Sequence, residues 1–126
     1  MIKKAVFPGS FAPFTKGHES LVLRALPLFD EIVIAVGTNR EKNEYFSLEK
    51  RCKWIEQVFA NESKVRVQRY EGLTIDFCEK VKANYILRGL RNSSDFKYEK
   101  GIAQMNHSMQ NNIETIFIIT EVKYSH

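Results

Sequence analysis

Apolar positions along the chain fall into short blocks and longer periodic ones, in strict alternation. The short blocks are Lys4–Phe7, Glu31–Val36, Val65–Gln68, Tyr85–Leu87 and Thr115–Ile119, each of strand length. Between them, His18–Phe29, Leu48–Ala60, Thr74–Lys82 and Asp95–Met109 carry helical spacing. Ile32-Val33-Ile34-Ala35-Val36 is apolar throughout, as expected when helices cover both faces of a sheet. The alternation predicts right-handed βαβ units around a parallel sheet, an α/β chain doubly wound about five strands. Pro27 is predicted to kink or end the first helix. Ser47 and Ser94 are placed as N-caps of the second and fourth. No linker or repeat interrupts the pattern, so residues 1–126 read as one domain.

Composition narrows the class. The chain has 126 residues, 44% hydrophobic and 27% charged, an ordinary globular balance. No apolar run approaches membrane-spanning length, and the first one is broken by Pro8-Gly9 before it could serve as a secretory signal. Cys52 and Cys78 lack C-x-x-C spacing, which argues against a zinc site or a disulfide framework and fits a reducing, cytoplasmic setting. The net charge of +4 permits nucleic-acid binding. Lys and Arg are spread along the chain rather than gathered in one arm, however, and polyphosphate substrates call for the same sign.

The chemistry concentrates where the first strand gives way to the first helix. Phe7-Pro8-Gly9-Ser10-Phe11-Ala12-Pro13-Phe14-Thr15-Lys16-Gly17-His18 is a glycine-containing loop that delivers a histidine to a helix start. Free N–H groups and the positive end of the helix dipole favour anions there. The loop has neither G-x-G-x-x-G nor the Gly-Lys-Ser/Thr of a Walker A motif. Gly9-Ser10, Gly37-Thr38, Gly72-Leu73, Arg88-Gly89 and Thr120-Glu121 are all expected just beyond strand C-termini, the edge at which open α/β sheets bind ligands.

With Thr15-x-Gly17-His18 and the second block Ile86-Leu87-Arg88-Gly89-Leu90-Arg91 through Asp95-Phe96-Lys97-Tyr98-Glu99, the chain resembles the H/T-x-G-H nucleotidyltransferase superfamily. Within that superfamily it resembles the phosphopantetheine adenylyltransferases of coenzyme A biosynthesis, from Lys4 to about Tyr124. The resemblance implies a Rossmann-like fold and transfer of the adenylyl group of ATP to 4′-phosphopantetheine, giving dephospho-coenzyme A and pyrophosphate. It implies Mg²⁺ accompanying ATP, no metal-binding residues of the protein's own, coenzyme A as a feedback ligand, and a homo-oligomer (a homohexamer). Neither a specific nucleic-acid partner nor a membrane is implied. Another phosphate acceptor, such as nicotinamide mononucleotide, remains open on the residues alone, as does an inactive binding module.

Residue by residue, the resemblance makes His18 the transition-state stabiliser, with Lys42 and Arg91 as further catalytic cations. Ser10, Lys42, Leu73, Thr74, Arg88 and Asn106 are implied for the acceptor. Gly9, Ser10, Phe11, Gly17, His18, Gly89, Leu90, Arg91, Glu99 and Tyr124 are implied for ATP, with Gly9 and Gly17 allowing close backbone approach. Without the resemblance, Lys42 would be read as solvated surface, and Glu99 as a helix-surface partner of Lys97 or Lys100. Tyr98 and Met105 are set either in the pantetheine channel or in the core. Family members usually continue past Tyr-Ser into a Ser-rich segment and a further helix. This sequence ends at Ser125-His126, so that segment is expected to be missing and ATP binding to be weakened.

Overall fold

The computed structural model describes residues 2–38, 47–91, 93–110 and 112–120. Five parallel strands form one sheet in the order β3-β2-β1-β4-β5. They are β1 Lys4–Gly9, β2 Glu31–Gly37, β3 Val65–Tyr70, β4 Tyr85–Leu90 and β5 Glu114–Ile119. The connecting helices are α1 Lys16–Ala25, α2 Leu48–Val58, α3 Thr74–Val81 and α4 Ser93–Met109. The expected doubly wound α/β fold is therefore what the chain adopts.

Alternation along the strands builds two cores. Ala5, Phe7, Ile32, Ile34, Val36 and Leu87 face α1 and α2, packing with Leu21, Val22 and Ile55. Val6, Val33, Ala35 and Ile86 face the other way, onto Ile75 and Cys78 of α3. On that second face Phe96 of α4 meets Phe117 of β5 edge-on. Pro27 ends the first helix as expected, and Leu26–Leu28 continue as a single 3₁₀ turn, because Pro at an early position of a new turn needs no N–H.

Three local expectations need correction. Strands β1, β2 and β4 run two, one and three residues further than the apolar blocks suggested, so Gly9, Gly37, Arg88 and Gly89 lie within strands rather than beyond them. Their polar or small character had hidden an extended backbone. Helix α1 begins at Lys16, which makes His18 its third residue. Ser47 does cap α2, its hydroxyl accepting from Lys50 N, but α4 begins at Ser93 and so contains Ser94 rather than being capped by it.

The strand order reverses between β1 and β4. Their paired register covers only Ala5–Tyr85 and Val6–Ile86, whereas β1 and β2 pair along their whole length, from Lys4–Glu31 to Gly9–Val36. Beyond Val6 and Ile86 the two central strands part. Such a switch point opens a crevice at the strands' C-terminal ends.

Candidate active site

That crevice holds two adjoining cavities. The larger, about 580 Å³, lies over the first loop and the start of α1. The smaller, about 200 Å³, lies between β4, α3 and α4. Pro8, Gly9, Arg88 and Glu99 line both, so they form the wall or threshold between them.

The Thr-x-Gly-His spacing acquires a physical meaning here: it is a helix capping box. Thr15 is the N-cap of α1, its Oγ1 accepting from His18 N at 3.3 Å. His18, at the third helical position, returns the contact, its Nδ1 accepting the Thr15 N–H at 2.9 Å. Glu or Gln usually closes such a box. With histidine there, an acceptor role for Nδ1 places the proton of the neutral ring on Nε2. Nε2–H is then the donor left to the cleft. The ring is stacked on Phe14, 5.2 Å between centroids, and meets Phe11 edge-on at 5.0 Å. Burial, followed by the charge of Arg88, holds its pKa below 6.5. The imidazole is thus kept neutral and pointed.

The loop itself is tightly built. Phe11 is buried with φ of 49°, a conformation uncommon for a bulky residue. A Cβ on Gly9 would sit 2.8 Å from the Phe11 ring. The proximate reason for glycine at position 9 is therefore the phenyl ring beneath the loop. Gly89 is confined by Leu21 and Thr120, whose atoms would lie 3.0 and 3.1 Å from an added Cβ.

Arg88 stands on the threshold with its fork almost fully assigned. Its Nε donates to Glu99 Oε1 and its Nη2 to Glu99 Oε2, each at 2.8 Å. Nη1 donates to Pro8 O at 3.1 Å. Of the five N–H groups of a guanidinium, three are engaged, leaving one on each terminal nitrogen. That pair is the edge suited to two-point contact with a phosphate. The hydrogen bonds that Arg88 donates to Glu99 raise its pKa against its partial burial. Glu99 therefore pairs with Arg88, and the anticipated surface pairing with Lys97 or Lys100 is not what its carboxylate makes.

The remaining expected residues divide. Ser10, Phe11, Gly17, Gly89 and Arg91 line the larger cavity, with Arg91 Nε held by Asp95 Oδ2 at 3.1 Å. Thr74 and Asn106 line the smaller one, where the Thr74 hydroxyl meets Tyr70 Oη at 3.1 Å. Leu73 and Leu90 line neither cavity. Tyr98 and Met105 are exposed and so belong to neither channel nor core. Lys42 and Tyr124 lie outside the described residues. Thr120, expected at the ligand edge, does line the larger cavity, whereas sequence reasoning gave no role to Arg51 or Tyr70. Tyr70 could have been found as the last residue of a strand ending at the ligand edge, and Arg51 as a cation on the apolar stripe of α2.

Among the described residues no group of three His, Cys, Asp or Glu side chains could hold a metal ion. The carboxylates facing the cleft, Asp95 and Glu99, are each engaged by an arginine. This donor set does not fit a cation held by the protein.

A parallel sheet with a phosphate-suited cleft at its switch point defines a nucleotide-binding α/β protein. Residues 6–126 match the family described as cytidylyltransferase-like. The phosphopantetheine adenylyltransferase of Flavobacterium johnsoniae is 55% identical over 98% of this chain and 81% of its own length. That of Bacteroides thetaiotaomicron is 47% identical over 95% of this chain and 79% of its own. The chain belongs to the cytidylyltransferase-like family and, within it, to the phosphopantetheine adenylyltransferases. Among solved structures, a bifunctional NMN adenylyltransferase/ADP ribose pyrophosphatase from Francisella tularensis superposes with a TM-score of 0.68 at 19% identity, covering 96% of this chain and 39% of that one. A lipopolysaccharide core biosynthesis protein from Thermoplasma volcanium gives 0.66 at 18%, covering 96% and 98%. At those identities the likeness is one of fold.

Proposed function

We propose that this chain transfers the adenylyl group of ATP to 4′-phosphopantetheine, giving dephospho-coenzyme A and pyrophosphate. An oxygen of the acceptor phosphate attacks the α-phosphorus of ATP. The bond from that phosphorus to the bridging oxygen of pyrophosphate breaks, and no enzyme nucleophile takes part. Catalysis then rests on holding two polyanions in line and stabilising charge as it shifts.

The observation that carries this reading is the position of Arg88 on the threshold of two cavities with one bidentate edge unassigned. The acceptor phosphate takes that edge, and its arm enters the smaller cavity past Thr74 and Asn106. ATP occupies the larger cavity, over Gly9, Ser10, Phe11 and Gly17 and beside Gly89, with Glu99 at its border. His18 donates from Nε2 to the α-phosphate, and Arg91 and Lys42 add positive charge. Leu73, Leu90 and Tyr124 are proposed for the same ligands. Mg²⁺ enters as part of the ATP substrate, coordinated mainly by its phosphates and water. The cytoplasm is the compartment proposed, and no helix of the described residues is long and apolar enough to cross a membrane. Coenzyme A is the proposed feedback ligand. A homo-oligomer, taken to be a homohexamer, is proposed as the assembly, and exposed apolar side chains such as Tyr98 and Met105 on α4 support self-association.

The test is pyrophosphate release from ATP with 4′-phosphopantetheine, alongside nicotinamide mononucleotide as competing acceptor. Dephospho-coenzyme A is the expected product. Turnover with the mononucleotide alone, or none with phosphopantetheine, would reject the assignment.

A further inference from the structure

Arg51 is 1% exposed, the most deeply buried charged side chain among the described residues. It lies on the inner face of α2 with Leu48, Ile55 and Phe59, whose side chains join the first core. An apolar residue would serve that helix packing, and burying a guanidinium is costly unless its donors are used. Nη1 donates to Ser10 O at 2.5 Å and reaches Gly37 O at 3.4 Å.

Those two carbonyls have a special address. Ser10 is the first residue after β1 and Gly37 the last of β2, on neighbouring strands in register through Gly9–Val36. From Ser10 the chain enters the loop of Phe11, Thr15 and His18. From Gly37 it enters the segment that contains Lys42. The first of these departures is conformationally unfavourable, because Phe11 turns at φ 49°, and such residues persist only where their surroundings over-determine them. A bond on the carbonyl just before that residue is one such constraint.

We infer that Arg51 is a positioning residue, whose guanidinium couples the exit of β1 to the exit of β2 and so fixes the His18 loop against the end of β2. Its catalytic consequence rests on the adenylyl-transfer reading above. Both contacts leave one nitrogen, Nη1, whose two N–H groups the planar guanidinium holds in fixed directions, whereas the donors of a lysine ammonium rotate freely on a flexible stem.

Arg51→Met keeps the apolar packing but no donors, and Arg51→Lys keeps the charge and loses the planar, fixed donor group. In Arg51→Met, kcat per folded molecule is expected to fall by about a hundredfold, as for a misplacement on the order of 1 Å. KM for each substrate is expected to stay within about threefold, since uniform binding is not what is lost. Arg51→Lys is expected to remain at least about tenfold below the parent for the same reason. Full kcat in either variant, or a loss that only follows the folded fraction, overturns the inference. Amide ¹H–¹⁵N spectra of the ligand-free variants separate it from the functional reading. If the parent chain releases no pyrophosphate, adenylyl transfer fails, yet joint displacement of the Phe11 and Thr38 signals still supports the coupling. Displacements confined to α2 overturn it.

Discussion

Glu99→Ala tests how much of the cleft depends on the Arg88–Glu99 pair. The substitution removes two acceptors from Arg88, each at 2.8 Å, and leaves only the bond to Pro8 O. Charge-assisted bonds of this kind contribute about 1.5–3 kcal/mol apiece. Both are not lost in full, because the Arg88 side chain is 34% exposed against 10% for Glu99, and a released guanidinium regains part of its hydration. The expected destabilisation is therefore about 2–3 kcal/mol, below the roughly 3–5 of a fully buried pair and above the roughly 0–1 of a surface one. In thermal unfolding this is a fall in Tm on the order of 10 °C. Urea unfolding of Glu99→Ala, Arg88→Met and the double variant isolates the pair, with a coupling energy above about 1.5 kcal/mol expected. Glu99→Gln, which keeps one acceptor oxygen, is expected to lose about half as much. KM for phosphopantetheine is expected to rise about tenfold in Glu99→Ala, a loss near 1.4 kcal/mol, as the two-point edge of Arg88 loses its fixed aim. A coupling energy under about 0.5 kcal/mol would show the pair to be no more than a surface bridge and would refute the reasoning.

Three further outcomes follow from the same geometry. His18→Ala is expected to cost about 3 kcal/mol in the transition state, on the order of a hundredfold in kcat with little change in KM; a change confined to KM would contradict a transition-state donor. Because burial and then Arg88 hold the folded His18 pKa below 6.5, its contribution to stability is present above pH 6.5 and lost as pH falls through the lower folded value. An NMR titration of the ring should show that midpoint below 6.5, and a midpoint above it would mean that protonation, not neutrality, is favoured at the site. Chelation by EDTA is expected to abolish turnover and added Mg²⁺ to restore it, while calorimetry on the ligand-free protein detects no tight Mg²⁺ binding, since the cleft carboxylates are already engaged by arginine.

What the sequence made legible was whatever is local. The fold came from block alternation, because a period-2 or period-3.6 pattern is set by neighbouring residues and one sheet edge collects the strand ends. The Thr15-x-Gly17-His18 motif stood out for the same reason, since it spans only four positions, although its capping box was not among the caps expected. Pairings across long separations were not visible. Nothing in the local pattern tells that Arg51 reaches Ser10, forty-one positions away, or that Glu99 closes on Arg88 instead of Lys97 or Lys100. Both contacts exist because parallel strands place their C-termini together and the following helices lean over that edge. The strand ends were cut short for a related reason, since Gly9, Gly37 and Gly89 present no apolar side chain to extend a hydrophobic block. At the edge of the candidate site the chain gives up side-chain volume, at Gly9 to the Phe11 ring and at Gly89 to Leu21 and Thr120, and places Arg51 at an apolar helix position. Departures from pattern are therefore informative in themselves. A glycine at the end of a buried strand or an arginine within an apolar stripe marks a place where the backbone and loop around the candidate site, and not the core alone, decide the residue.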